Sequence, residues 1–315
     1  MNKFILLVLV SMISLKGFSQ QPDTLIRKLD SLSNKNDSTG RQLNNTSEEA
    51  FNELTKLTPK IYFILLGSTL KQEFTKPLHM TGREWKELGV FTVATVGLSF
   101  ADKPVQRQAI KFRDSKSGVI RVSKYITNTG GIYETITLIA LGSYGYIFKN
   151  QKMKTTTWLA TQAFITGTVL ETVLKYLTGR TRPSYYAYGT EARPVFKGPF
   201  NKNSSNGSFP SGHATVAFAA ATVYAMEYKS TVWVPVLAYS AATLISASRI
   251  TENKHWITDV FVGAVMGYLT GRHVVNNYHR YAKLKAPKQQ KNTLSFNLQY
   301  NNMGQFSPGL IYHIM

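Results

Sequence analysis

Apolar positions gather into long blocks only after residue 84. Six blocks, roughly 86–101, 129–148, 155–178, 213–228, 230–250 and 256–275, have the length and spacing of helices. The fifth is the most apolar, with no charge from Ser230 to Ser248. Glu134 and Glu171 interrupt the second and third, and Gly, Ala and Thr recur in several blocks. Small residues suit close packing of helices within a bilayer, and equally within a soluble helical core. The pattern predicts an all-α six-helix bundle over 85–275, with its helices as short membrane spans.

The flanks differ from this core. Lys3 precedes an apolar run from Phe4 to Leu15, and Gly17-Phe18-Ser19 follows with small residues at cleavage spacing, which predicts a secretory signal over 1–19. A run of roughly 12 apolar residues falls short of the roughly 20 needed for a span. Residues 20–84 form a polar segment with short helices. Gln21 to Arg41 has the composition of a flexible lead-in. Thr46-Ser-Glu-Glu49 is a capping box, with Phe51, Leu54 and Leu57 following at helical spacing. After Pro59, the apolar run Ile61–Leu70 fits a buried helix, an interfacial helix or a short span. Residues 276–315 continue a basic stretch that begins at Arg272, then change period. Leu294, Phe296, Leu298 and Tyr300 alternate with polar residues, Asn301 to Gly304 is a turn, and Leu310, Tyr312 and Ile314 alternate again. This predicts a small C-terminal β-hairpin.

Charge narrows the partners. The formal net charge is +20 over 315 residues, which favours membrane surfaces, phosphorylated substrates or nucleic acid. No nucleic-acid motif is present and the basic residues are scattered, so nucleic acid is not expected as a partner. The stretch 102–130 is basic: Lys103, Arg107, Lys111, Arg113, Lys116, Arg121 and Lys124 stand against Asp102 and Asp114. It fits a solvated loop or a surface helix on anionic headgroups. The absence of Cys excludes disulfides, thiolate metal sites and a Cys nucleophile.

Three charged clusters stand at the edges of the apolar blocks, all at one end of the bundle. In the first, Lys175 ends the third block, Gly179 stops the helix, and Pro183 forces Arg182 into extended backbone. In the second, Pro210-Ser211-Gly212-His213 leads into the fourth block. A helix start offers unpaired amides to an anion, Gly212 permits close approach, Ser211 adds a hydroxyl, and His213 is placed to protonate a leaving group. In the third, Arg249 ends the fifth block, and His255 and Asp259, four apart, share a helical face. A carboxylate on one imidazole nitrogen frees the other as a nucleophile. Each cluster alone has an ordinary reading: snorkelling cations, a helix cap, a local His–Asp bond. Together they hold what phosphoryl transfer needs, namely fixed cations, an in-line nucleophile and a proton donor.

Lys175-x6-Arg182-Pro183, Pro210-Ser211-Gly212-His213 and Ser248-Arg249-x5-His255-x3-Asp259 together resemble the signature of the type 2 phosphatidic acid phosphatase and vanadium haloperoxidase superfamily, in order and spacing, over roughly 85–275. The resemblance implies an all-α bundle and a metal-independent phosphoric monoester hydrolase that needs no cofactor. It implies His255 as nucleophile forming a phosphohistidine, Asp259 as its orienter, and His213 as general acid and then base. It implies Lys175, Arg182, Ser211, Gly212 and Arg249 as phosphate ligands. The expected substrates are phosphorylated or pyrophosphorylated lipids of a bacterial-type cell envelope. A soluble periplasmic acid phosphatase and a vanadium-dependent haloperoxidase are the alternatives. Lys149, Lys152, Lys154, Lys229 and the stretch after Arg272 lie at the opposite edge, which puts the site on the periplasmic side of the membrane. That orientation and a cleaved signal agree only if a segment near 61–72 crosses.

Overall fold

The computed structural model describes residue 27 and residues 56–127, 130–187, 190–199, 207–285, 293–300 and 306–313. The signal, the lead-in and the capping box at Thr46 lie outside them. The described residues contain nine α-helices and one hairpin: α1 (Pro59–Thr75), α2 (Gly82–Ser99), α3 (Asp102–Ser115), α4 (Ser117–Thr127), α5 (Gly130–Ile147), α6 (Gln151–Thr178), α7 (Gly212–Glu227), α8 (Trp233–Thr251), α9 (Ile257–Lys285), β1 (Thr293–Tyr300) and β2 (Phe306–His313). The chain divides into two units, 1–284 and 285–315. The second holds the antiparallel hairpin, paired from Thr293↔His313 to Tyr300↔Phe306.

All six apolar blocks are helical, as α2 and α5 to α9. The run after Pro59 is also a helix. It starts with Pro at the first helical turn and with the Thr58 hydroxyl accepting from the Ile61 amide. Its Leu65 packs in the main core with Leu159 of α6 and Val274 and Tyr278 of α9. The basic stretch 102–130 is two helices over most of its length, α3 and α4, rather than a loop. Helix α9 runs to Lys285, ten residues past the expected end at 275. Val274, Val275, Tyr278 and Tyr281 carry its apolar face onward, and all four are buried. Gln72 Nε2 donates to Asn277 Oδ1 at 3.3 Å, tying α1 to this extension.

Six individual spans do not follow from this geometry. Among the described residues, no single helix is long and apolar enough to cross a membrane, though α2 and α3 pass the test as a pair bent by 52°. Helix α7 has only 16 residues, and Glu171 and Lys175 interrupt the apolar run of α6. Large apolar side chains nevertheless point outward, among them Val90 and Val93 of α2, Ile136 and Ile139 of α5, and Trp233, Val236 and Leu237 of α8.

Helices α7 and α9 approach backbone to backbone. Gly263, Gly267 and Gly271 recur every four residues and form a stripe on one face of α9. A β-carbon on Gly267 would stand 2.1 Å from the Thr215 carbonyl oxygen, and one on Gly263 would stand 2.6 Å from the Ser211 carbonyl oxygen. These neighbours are backbone and cannot rotate away. The contact brings the N-termini of both helices together, and the Ser211 amide donates to the Asp259 carbonyl at 2.9 Å.

Gly267→Ala is therefore expected to cost about 3 kcal/mol or more, the upper range for overpacking. Gly89→Ala in α2, where a β-carbon meets nothing within 4 Å, should be neutral or stabilising. Denaturant unfolding of the two variants checks this; equal effects would contradict the proposed contact.

Candidate active site

The three clusters meet where α6 and α8 end and α7 and α9 begin. Helix α6 closes on Gly179, whose φ of 53° lies in the left-handed region that favours glycine, and the Gly179 amide donates to the Lys175 carbonyl at 2.9 Å. The chain beyond is held extended from both sides. The Thr181 amide donates to the Val195 carbonyl at 2.9 Å, and the Ser208 amide donates to the Arg180 carbonyl at 2.7 Å. Residues two apart in extended backbone face the same way. Arg180 and Arg182 therefore point to one side, toward the start of α9.

His255 lies in the link between α8 and α9 and is buried. Its backbone amide is held by the Arg249 carbonyl at 3.3 Å. Its Nδ1 lies 2.7 Å from the Ser208 carbonyl. A carbonyl only accepts, so Nδ1 carries the proton and Nε2 keeps its lone pair. The expected orienter, Asp259, is placed differently from the sequence reading. Its Oδ2 is 3.6 Å from Nδ1, too far for a hydrogen bond. That oxygen accepts instead from the Ser208 hydroxyl and, at 2.8 Å, from the Trp256 amide. The carboxylate thus acts on the imidazole through its charge and through Ser208, and the Ser208 carbonyl supplies the direct bond.

Burial pushes the His255 imidazole down to about 4. The Asp259 carboxylate opposes this, while Arg182 and Lys175 add to it. Burial also lowers the Arg182 guanidinium, against the carboxylates of Asp259 and Glu171.

Residues of the first two clusters lie near this imidazole, and Arg182 and Lys175 act on it electrostatically. Lys175 Nζ pairs with Glu171 Oε2, one turn back on α6, at 2.5 Å. A β-carbon on Gly212 would stand 3.1 Å from Lys175 Nζ and 2.9 Å from Glu171 Oε1. Gly212 therefore leaves room for this ion pair against the start of α7. Ser211 is fully buried and its Oγ has no hydrogen-bond partner. Arg249 is buried, donates from Nη1 to Glu252 Oε2 at 3.3 Å, and leaves Nε unpaired. His213 is half-buried in the field of Arg249, Lys175 and Arg182. Lys175, Arg182, Gly212 and His213 all remain partly exposed, so the cleft opens to solvent.

Beneath the cleft lies a buried ionic group that sequence reasoning missed. Arg180 Nη1 donates to Asp259 Oδ1 and Nη2 to Asp102 Oδ2, both at 2.5 Å. The Thr258 amide and hydroxyl donate to Asp102 Oδ1 at 3.1 and 2.9 Å. Asp102 and Asp259 are completely buried. Asp102 opens α3 far from the other partners in sequence, and no local spacing announces it. Glu171 carried a faint signal, since Glu four residues before Lys is a helix ion pair.

Two imidazoles and three cations thus come within electrostatic reach of one another at the ends of these helices. Residues 156–283 match the model of the PAP2 superfamily. A 98-residue stretch is 40% identical to "Lipid A 1-phosphatase" of Porphyromonas gingivalis, covering 31% of this chain and 18% of that protein. Another of 108 residues is 30% identical to "Undecaprenyl-diphosphatase" of Sulfolobus acidocaldarius, covering 33% of this chain and 47% of that protein. The matched stretches thus span less than half the length of these two relatives. Among solved structures, the chain is similar to a transmembrane PAP2-type phosphatidylglycerolphosphate phosphatase from Bacillus subtilis, with 20% identity, a TM-score of 0.46, and coverage of 64% of this chain and 96% of that one.

Two outcomes follow. Arg180→Gln should cost about 3–5 kcal/mol in denaturant unfolding, because two buried carboxylates lose their cation. A cost below about 1 kcal/mol would contradict the network. His255 binds a proton more weakly folded than unfolded, so between pH 6.5 and about 4 the unfolded state holds more protons. Stability is then complete above pH 6.5 and falls as pH drops toward 4, by about 3 kcal/mol. NMR titration of the His255 ring should show a midpoint near 4; a midpoint near 6.5 would refute the burial effect.

Proposed function

We propose that the protein is a metal-independent phosphatase that releases phosphate from phosphorylated or pyrophosphorylated lipids through a phosphohistidine. One observation carries this reading. His255 Nδ1 donates to the Ser208 carbonyl at 2.7 Å, which leaves Nε2 with its lone pair, and the cations of Arg182 and Lys175 act on this imidazole.

The chemistry proceeds in two displacements. Lys175, Arg182, Arg249, the Ser211 hydroxyl and the Gly212 amide hold the phosphoryl oxygens and offset their charge. His255 Nε2 attacks phosphorus as the bond to the lipid oxygen breaks, and His213 gives that oxygen a proton. A water then loses its proton to His213 and attacks phosphorus. The P–N bond breaks, phosphate leaves, and both imidazoles return to their starting states. Asp259 stabilises the charge that His255 carries while it is phosphorylated. The oxyanion donors are cationic side chains, a hydroxyl and an amide, so no step requires a metal.

Several features support a lipid substrate at a membrane. The outward-facing Val90, Val93, Ile136, Ile139, Trp233, Val236 and Leu237 offer an apolar perimeter. A cavity of about 410 Å³, lined by Phe112, Val119, Val122, Ile126 and Leu244, lies between α3, α4 and α8, near Arg249 at the end of α8. An acyl or isoprenyl chain suits it. The names of the relatives point the same way. In this reading the bundle sits in a cell-envelope membrane with the cleft facing the periplasm.

His213→Ala and His255→Ala should each reduce phosphate release from a detergent-dispersed lipid phosphate by at least about 100-fold, while circular dichroism remains that of the wild type. Chelators should leave the rate unchanged, and vanadate should compete with substrate. Wild-type turnover in either variant, or a strict need for added Mg²⁺, would refute the mechanism.

A further inference from the structure

A second cavity, of about 710 Å³, opens beside the cleft, and nothing in the mechanism above uses it. Its lining includes neighbours of two of the cations above. Pro183, directly after Arg182, lines it, and so does Glu252, the partner of Arg249. Its opposite wall is α3, which presents Lys103, Arg107 and Lys111. These are spaced by four and form a stripe along one helix face. The helix is held firmly: Asp102 at its start belongs to the buried Arg180 group, and Gln106 Nε2 donates to Asn253 Oδ1 at 2.9 Å.

A single carboxylate occupies the cationic end of this cavity. Glu191 Oε1 accepts from Lys103 Nζ and from Arg107 Nη2, both at 3.0 Å. One anionic oxygen between two cations is the arrangement a phosphate oxygen would adopt. Lys111 adds a further charge one turn along. The three cations of the cleft already suffice for the phosphate being cleaved.

We propose that this cavity is a second anion subsite, which binds the phosphate retained on a lipid carrying two phosphates. Glu191 serves as its internal counter-ion and is displaced by substrate. The inference rests on the phosphatase reading and narrows it to diphosphorylated lipids. Because the α3 cations touch the leaving portion and not the transferred phosphoryl group, they set specificity and take no part in the chemical step.

The test compares an isoprenyl diphosphate with the monophosphate of the same chain length, using the full chain in detergent. Wild type should favour the diphosphate. Arg107→Ala and Lys111→Ala should each lower kcat/KM for the diphosphate by about tenfold, the effect of losing one charge-assisted hydrogen bond. The monophosphate should lose far less, so the preference collapses. Glu191→Gln should lower KM for the diphosphate. Arg83→Ala, which removes an equal charge at the far end of α2, should alter neither substrate. Equal losses on both substrates would overturn the subsite while leaving the phosphatase reading intact. Altered inhibition by inorganic phosphate with an unchanged substrate preference would mean that the cavity takes free phosphate, and would also overturn it. No phosphate release from either substrate by wild type would overturn both readings.

Discussion

The distance between α7 and α9 governs everything at the active edge. Three glycines on α9 let its backbone lie against the backbone of α7, with no side chain between Gly267 and the Thr215 carbonyl. Any larger residue would push the helices apart by a side-chain layer. The two helix starts would separate with them, and Ser211, Gly212 and His213 would move away from His255 and Asp259. The fold thus converts a small-residue stripe along α9 into positioning at the site.

Below the cleft, charge does comparable work. Arg180 joins Asp102 at the start of α3 to Asp259 at the start of α9. Such a group is costly to bury and more costly to break, since removing one member strands the others without a counter-charge. It therefore holds a small number of geometries. The site above divides accordingly. Asp259, Ser208 and Arg180 are buried and fixed, whereas Lys175, Arg182 and His213 reach the open cleft where a ligand can meet them.

Much of this was legible in the sequence because it is local. The six apolar blocks became helices, Gly179 ended α6, and the eight residues expected at the site came to one edge of the bundle. Period-two alternation likewise announced the hairpin of β1 and β2. What could not be read depends on distant partners. The Nδ1 bond to the Ser208 carbonyl pairs residues 47 apart and involves backbone, for which sequence carries no signature. The spacing of His255 and Asp259 suggested a direct bond; the fold instead gave Asp259 to Ser208, Trp256 and Arg180. Asp102 looked like an unremarkable acid in a basic stretch, and the helices α3 and α4 emerged where charge density had left a loop equally open. The expectation of six separate spans was not met among the described residues, where no single helix is long and apolar enough to cross a membrane.

In the proposed mechanism His255 takes the phosphoryl group on Nε2 while the Ser208 carbonyl holds the proton on Nδ1. The most direct test is to quench the reaction during turnover and map the phosphorylated residue by mass spectrometry under conditions that preserve phosphohistidine. Phosphate is expected on His255, accumulating further in His213→Ala if water attack slows more than the first transfer. Phosphate on His213 or on any other residue, or turnover of a phosphorylated lipid by His255→Ala at the wild-type rate, would contradict it.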